Sequence, residues 1–143
     1  MAKTIYTAEA TVTGGRQHGH GVSSDGVLDV QLRPPVGSDE VGTNPEQLFA
    51  VGYAACFEGA LAAVGRRQRI ELGDVAIDSK VSLITTEQRG FNVAVTLDVT
   101  LPDIEDAEQA KLLVAAAHKV CPYSNATRGN VQVTLTANSE SVE

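Results

Sequence analysis

The 143-residue chain lacks any uninterrupted apolar run approaching the roughly 20 residues of a bilayer span, so the sequence predicts no membrane segment. Its start, MAKTIYTAEA, has no basic region followed by an apolar stretch and a small-residue cleavage site, which argues against a secretory signal and points to a cytoplasmic address. Basic side chains are scarce: 11 Lys and Arg against 18 Asp and Glu leave a formal charge of −7. A nucleic-acid partner needs clustered cations, and the single basic knot, RRQR from Arg66 to Arg69, reads as cations placed favourably near a helix C-terminus. Cysteine is scarce too, with only Cys56 and Cys121, and no CxxC or HxxxH pair anchors a metal site. In a reducing compartment two cysteines are not expected to form a permanent staple. They are either small buried hydrophobes or a transient redox pair. Repeats and low-complexity segments are absent.

What is there fits one domain over residues 1–143, with 43% hydrophobic and 20% charged residues. Thr4–Thr13 alternates as a strand until Gly14 and Gly15 break it, and a second strand runs from Gly26 to Pro34, giving a hairpin whose loop of about ten residues contains the solvated QHGH piece. PPVGSDEVG follows as a surface loop. Asn44 then caps a helix with Pro45 at its first position, Glu46 in its first turn and Gln47 at capping-box spacing. That helix is apolar almost all round, which predicts burial on every side and a partner chain supplying part of the cover. A hairpin of Val75–Glu87 and Phe91–Leu101 comes next, then a helix from Asp103 that must stop at Cys121, before Pro122. SNATRGN reads as a turn, Asn130–Asn138 as a final strand, and SESVE as a frayed tail. With no βαβ alternation, the expectation is an α+β fold of antiparallel sheets around a buried central helix.

Cys56 lies mid-helix among apolar neighbours, where desolvation raises a thiol's pKa, so it needs a nearby cation to become a nucleophile. The candidate is Arg16 in TGGR, unless this arginine merely ends a strand. Glu46 is the carboxylate suited to hold such a guanidinium, and it also suits the helix dipole. Glu46 and Cys56 are ten positions apart, about 15 Å along one straight helix. Either the helix breaks near Gly52, or Arg16 reaches between them, or one group comes from another subunit. Cys121, at the negative end of a helix dipole, suits a second thiol rather than a first. The rival use of the thiols is zinc, held by His118, Cys121, Cys56 and His18 or His20.

TGGR, GTNPEQLFAVGYAACF and HKVCPYSNATRGN, in this order and at these spacings, resemble the organic hydroperoxide resistance branch of the Ohr/OsmC family. The resemblance implies a thiol-dependent peroxidase that reduces organic hydroperoxides to alcohols as an intertwined homodimer, without a metal or organic cofactor. It implies that Cys56 is the peroxidatic and Cys121 the resolving cysteine, joined in a disulfide each cycle. Arg16 is the activating cation and Glu46 its partner. The reductant it suggests is an external dithiol, dihydrolipoamide on a lipoylated protein. Leu48, Phe49 and Phe57 beside Cys56 are the candidate apolar lining, favouring alkyl or fatty-acid hydroperoxides. The alternative on the same fold is a redox sensor or ligand-binding protein that uses the disulfide as a signal.

Overall fold

Glycines with left-handed backbone set the turns of the N-terminal part of the chain. The computed structural model describes residues 2–143, and these divide into two compact units with the boundary after Leu48. In the first unit, β1 (Ala10–Thr13), β2 (Gly19–Ser23) and β3 (Asp29–Leu32) form an antiparallel sheet in that order. Gly14 and Gly15 turn β1 into β2 with φ of 76° and 66°, a region in which side-chain-bearing residues are strained. The turn is tight enough that a Cβ on Gly19 would lie 1.8 Å from the Gly15 carbonyl oxygen.

Three expectations change here. The long hairpin is a three-stranded meander, because part of the presumed loop pairs on both edges. Gly19 and His20 of QHGH therefore lie in a strand rather than in a solvated loop, and His20 Nε2 sits 2.6 Å from Asp29 Oδ1. The first strand begins at Ala10 rather than Thr4, since β2 offers partners only to Ala10–Thr13; Ile5 and Tyr6 are left exposed. The loop after β3 is tied back by Arg33, which donates to Glu40 Oε2 at 2.9 Å and to the Gly19 carbonyl at 3.1 Å.

Helix α1 spans Pro45–Gln68. Asn44 caps it by accepting the Gln47 N–H at 2.9 Å, while the Gln47 side chain accepts from Thr43 Oγ1 instead of closing a capping box. The second unit contains β4 (Ala76–Thr85), β5 (Phe91–Thr100), α2 (Ala107–Val120), α3 (Pro122–Thr127), β6 (Gln132–Ala137) and β7 (Glu140–Val142). Its sheet has the order β4-β5-β6-β7. The β4–β5 hairpin is antiparallel as expected, but β5 pairs with β6 in parallel. A single β5-helix-β6 crossover produces this pair, and one such unit flanked by hairpins leaves no repeated βαβ pattern to read. The tail is likewise not frayed. Asn138 and Ser139 both take positive φ, 48° and 72°, the two-residue turn whose twist suits a hairpin, and Glu140–Val142 pairs with β6.

The core of this unit joins α1, the sheet and α2 through Phe57, Leu61, Leu97, Leu113 and Val114. By length and composition alone α1 is apolar enough to cross a bilayer. Its apolar residues nevertheless serve two purposes within the protein. Tyr53, Phe57, Ala60, Leu61 and Val64 are buried in the core, whereas Val51, Ala55 and Gly59 lie in an exposed stripe interrupted by Glu58. Burial on every side, as the composition predicts, is not met within one chain.

Candidate active site

The turn from α2 to α3 is built by one cysteine and one proline. Cys121 has extended backbone, closes α2 by donating its N–H to the Ala117 carbonyl at 2.9 Å, and is at the same time the N-cap of α3. Its Sγ accepts the Ser124 N–H at 3.5 Å. Pro122 takes the first position of α3, where no N–H is needed and its φ is preset. SNATRGN is consequently not simply a turn: its first four residues are helical. Arg128 fastens the arrangement from outside, donating to the His118 carbonyl at 2.6 Å and to Asn125 Oδ1 at 2.7 Å.

This turn brings the two cysteines into contact. Cys121, fully buried, places its sulfur 3.6 Å from that of half-buried Cys56 on α1, and both are free thiols. A disulfide requires about 2.05 Å, so the sulfurs need to close by roughly 1.5 Å. Burial pushes the Cys56 thiol above its ordinary pKa; the Tyr123 backbone N–H on its sulfur opposes that, and neighbouring Cys121 adds to the rise. In this unit alone Cys56 therefore keeps its proton at neutral pH.

Around the sulfurs lies a buried polar chain. Tyr53 Oη is 2.8 Å from Ser124 Oγ and 3.3 Å from Thr127 Oγ1, and Ser124 Oγ is 2.8 Å from His118 Nδ1. Burial and the charge of Arg128 lower the His118 pKa, so the ring is neutral at pH 7. One consistent arrangement has Thr127 donating to the Ser124 carbonyl, Tyr53 to Ser124 Oγ, and Ser124 to His118 Nδ1. His118 Nδ1 is thus engaged by a hydroxyl, and among the described residues no group of three or more His, Cys, Asp and Glu is placed to hold a metal ion.

Aromatic packing covers the same stretch of α1. The Tyr123 ring meets Phe49 and Tyr53 at centroid distances of 5.8 and 5.7 Å, and a Cβ on Gly52 would stand 3.2 Å from its hydroxyl. Beside it runs a largely apolar groove of about 470 Å³ lined by Phe49, Val93, Tyr123, Ala126 and Val131. Of the candidate lining residues, Phe49 flanks this groove, Leu48 is half-buried, and Phe57 is sealed in the core.

In the N-terminal unit, Arg16 Nη2 donates to both carboxylate oxygens of Glu46 at 2.8 Å. The guanidinium holds the Glu46 carboxyl below its usual range. Glu46 is only 16% exposed, against 41% for Arg16, so the carboxylate is fixed and the cation keeps a face free. Helix α1 is continuous through Gly52, which removes a helix break from the ways of relating Glu46 to Cys56.

Nothing in the sequence singles out Tyr53, Tyr123 or Ser124. Tyr53 reads as one more apolar position on α1, and the signal for Ser124, a hydroxyl three residues beyond a residue that precedes proline, is visible only once Cys121 is recognised as a cap.

Comparison with known proteins matches residues 37–136 to the OsmC family model, described as OsmC-like protein. The chain is 53% identical over 138 residues to an organic hydroperoxide resistance protein of Xanthomonas axonopodis pv. citri, covering 94% of this chain and 95% of that one. The crystal structure of the organic hydroperoxide resistance protein OhrB of Bacillus subtilis superposes with a TM-score of 0.87 at 52% identity, over 92% of this chain and 98% of the other. That of an organic hydroperoxide resistance protein from Elizabethkingia anophelis gives 0.88 at 45% identity, over 94% and 97%. The chain therefore belongs to the OsmC-like family, in its organic hydroperoxide resistance branch.

Proposed function

We infer that this chain is a cysteine-based peroxidase that reduces organic hydroperoxides to alcohols, acting as a single domain over residues 1–143. The observation that carries this reading is the contact of the two free sulfurs, 3.6 Å apart. Cys56, as thiolate, attacks one peroxide oxygen; the O–O bond breaks, the alkoxide leaves and is protonated to the alcohol, and Cys56 becomes a sulfenic acid. Cys121 then attacks the Cys56 sulfur. The S–O bond breaks, hydroxide leaves and takes the Cys121 proton as water, and a disulfide remains. An external dithiol reopens it by exchange.

Because burial holds the Cys56 proton, the first step needs positive charge. We assign that role to Arg16, with Glu46 as the carboxylate that keeps the guanidinium oriented so that little reorganisation accompanies charge development. The ionised, hydrogen-bonded state of Glu46 supports the assignment. We assign Leu48, Phe49 and Phe57 as the apolar lining that favours alkyl or fatty-acid hydroperoxides; the place of Phe49 on the apolar groove supports this, whereas Phe57, sealed in the core, can back the site but not touch a substrate. The protein works without metal or organic prosthetic group, in a cytoplasm that keeps its thiols reduced, with a lipoylated protein as dithiol donor. The exposed stripe of α1 supports a homodimer.

Excess tert-butyl hydroperoxide with dihydrolipoamide as reductant tests the reading. Many equivalents are consumed per chain if it is an enzyme, and about one if the disulfide is only a signal. Cys56→Ser abolishes consumption. Cys121→Ser keeps the α3 cap, since serine is among the best N-cap residues, and it allows one reaction followed by over-oxidation of Cys56. Sustained dithiol-driven turnover by Cys121→Ser would refute the resolving role.

A further inference from the structure

The hydroxyl of Ser124 occupies a position that the two thiols alone do not explain. Through Tyr53 it bonds α1 one turn before Cys56, and through His118 it bonds α2 one turn before Cys121. Residues three apart share a helix face, so each bond reaches the face that carries a cysteine. The Ser124 backbone N–H bonds the Cys121 sulfur itself. Ser124 and Tyr53 are completely buried, and a buried hydroxyl chain with every member paired is rigid and directional.

We propose that Ser124 is a positioning residue for the resolving step: its hydroxyl bridges the two cysteine-bearing helices and holds the Cys121 sulfur in contact with that of Cys56. The proposal rests on the reading of Cys56 and Cys121 as the peroxidatic and resolving cysteines. It concerns the second reaction rather than the first. Condensation competes with attack of the Cys56 sulfenate sulfur on a second hydroperoxide, whose O–O bond breaks to give the sulfinic acid and an alcohol. A sulfur held in contact reacts at a high effective concentration, whereas a sulfur free to swing loses that competition. The required closure of roughly 1.5 Å is small enough for a clamped turn, so disulfide formation needs no unwinding of α3.

Ser124→Ala removes the bridge. Tyr53 retains Thr127 Oγ1 as a partner, and half-buried His118 can bond water, so the subunit has a route to folding without the hydroxyl. Two readouts test the role. The first is the fraction of Cys56 found as sulfinic acid per turnover with tert-butyl hydroperoxide, measured by mass spectrometry alongside the single-turnover rate of hydroperoxide loss. The second, independent of peroxidase activity, is the equilibrium between the Cys56–Cys121 disulfide and the dithiol in glutathione buffers. A hydrogen bond contributes about 0.5–1.5 kcal/mol net, which corresponds to roughly a two- to tenfold effect on an equilibrium. Ser124→Ala, which removes two such bonds, is expected to raise the sulfinic fraction and lower the thiols' effective concentration by about tenfold. The partition shifts more than the first-step rate. Tyr53→Phe gives a smaller change in the same direction, and Ser124→Thr restores both readouts.

An unchanged partition and glutathione equilibrium in folded Ser124→Ala overturn the proposal. So does a loss of thermal stability without a change in either readout, or a failure of folded Ser124→Thr to restore them. If Ser124→Ala does not fold, Tyr53→Phe decides by the same two measurements. If the wild-type protein consumes no hydroperoxide, the peroxidase reading fails, and the glutathione equilibrium alone still decides the positioning role.

Discussion

At Cys56 two influences oppose one another. Burial raises the thiol's pKa, while a peroxidatic cysteine must be a thiolate when substrate arrives. Arg16 is the proposed remedy, and its hydrogen-bonded partner Glu46 has a depressed pKa. The sign follows directly. A carboxyl with a depressed pKa is ionised above its unfolded value, so the pair is intact at neutral pH and is lost only as pH falls through the folded value. Removing Arg16 leaves burial as the dominant influence on Cys56. Arg16→Ala is therefore expected to raise the pH midpoint of Cys56 alkylation above the ordinary thiol range and to slow iodoacetamide alkylation at pH 7 by about tenfold or more. Glu46→Gln should act in the same direction but more weakly, because the cation survives with its orientation relaxed. A midpoint unmoved by Arg16→Ala, followed by mass spectrometry of the alkylated peptide, would assign the activating charge elsewhere.

Among elements, the helices were legible wherever a cap was spelled out. Asn44-Pro45 starts α1 as expected. At α2 no cap is spelled out and the expected start is Asp103, whereas it is Asp106 Oδ1 that accepts the N–H groups of Glu108 and Gln109, at 2.9 and 3.1 Å. Because α2 ends at Cys121, this exposed cap supports the helix that carries the second thiol without touching either sulfur. Loss of an N-cap costs about 1 kcal/mol. Asp106→Ala should accordingly lower the melting temperature by about 3–5 °C in calorimetry, and an unchanged melting temperature would show that α2 is held by its packing alone. What the sequence hid was pairing that depends on partners far along the chain. Alternation in Thr4–Thr13 marks a potential strand, but only Ala10–Thr13 finds a neighbour in β2. The parallel β5–β6 pair and the β7 hairpin depend on a crossover and on positive φ at Asn138 and Ser139, neither of which periodicity records. The site was legible in part for the same reason. Thiols, arginine and carboxylate announce themselves by type, whereas Ser124 and Tyr53 matter only through what the α2–α3 turn brings beside them.

For the whole molecule, the informative surface is the face of α1 turned away from its own core. Val51 is 71% exposed, and Ala55, Glu58, Gly59 and Arg66 continue along one side of the helix into a groove closed by Ile70 and Leu72. A long apolar helix with one face uncovered is unusual for an isolated chain, and its small residues permit a second helix to approach closely. The proposed homodimer would cover it with the same face of a second copy, since a two-fold interface is self-complementary. Gly59 allows a clean test. A Cβ there meets nothing within 4 Å, and replacing glycine in a helix interior gains up to about 1 kcal/mol of intrinsic helix stability, so a larger side chain is tolerated by the single subunit. Gly59→Leu should therefore leave the far-ultraviolet helical signal intact while shifting the protein from dimer to monomer in sedimentation equilibrium. If this variant sediments as the wild type does, the stripe is not the interface and the cover for α1 lies elsewhere. If it becomes monomeric and also loses hydroperoxide turnover with Cys56 and Cys121 still able to form their disulfide in glutathione buffer, then assembly serves the first chemical step and the second belongs to one chain.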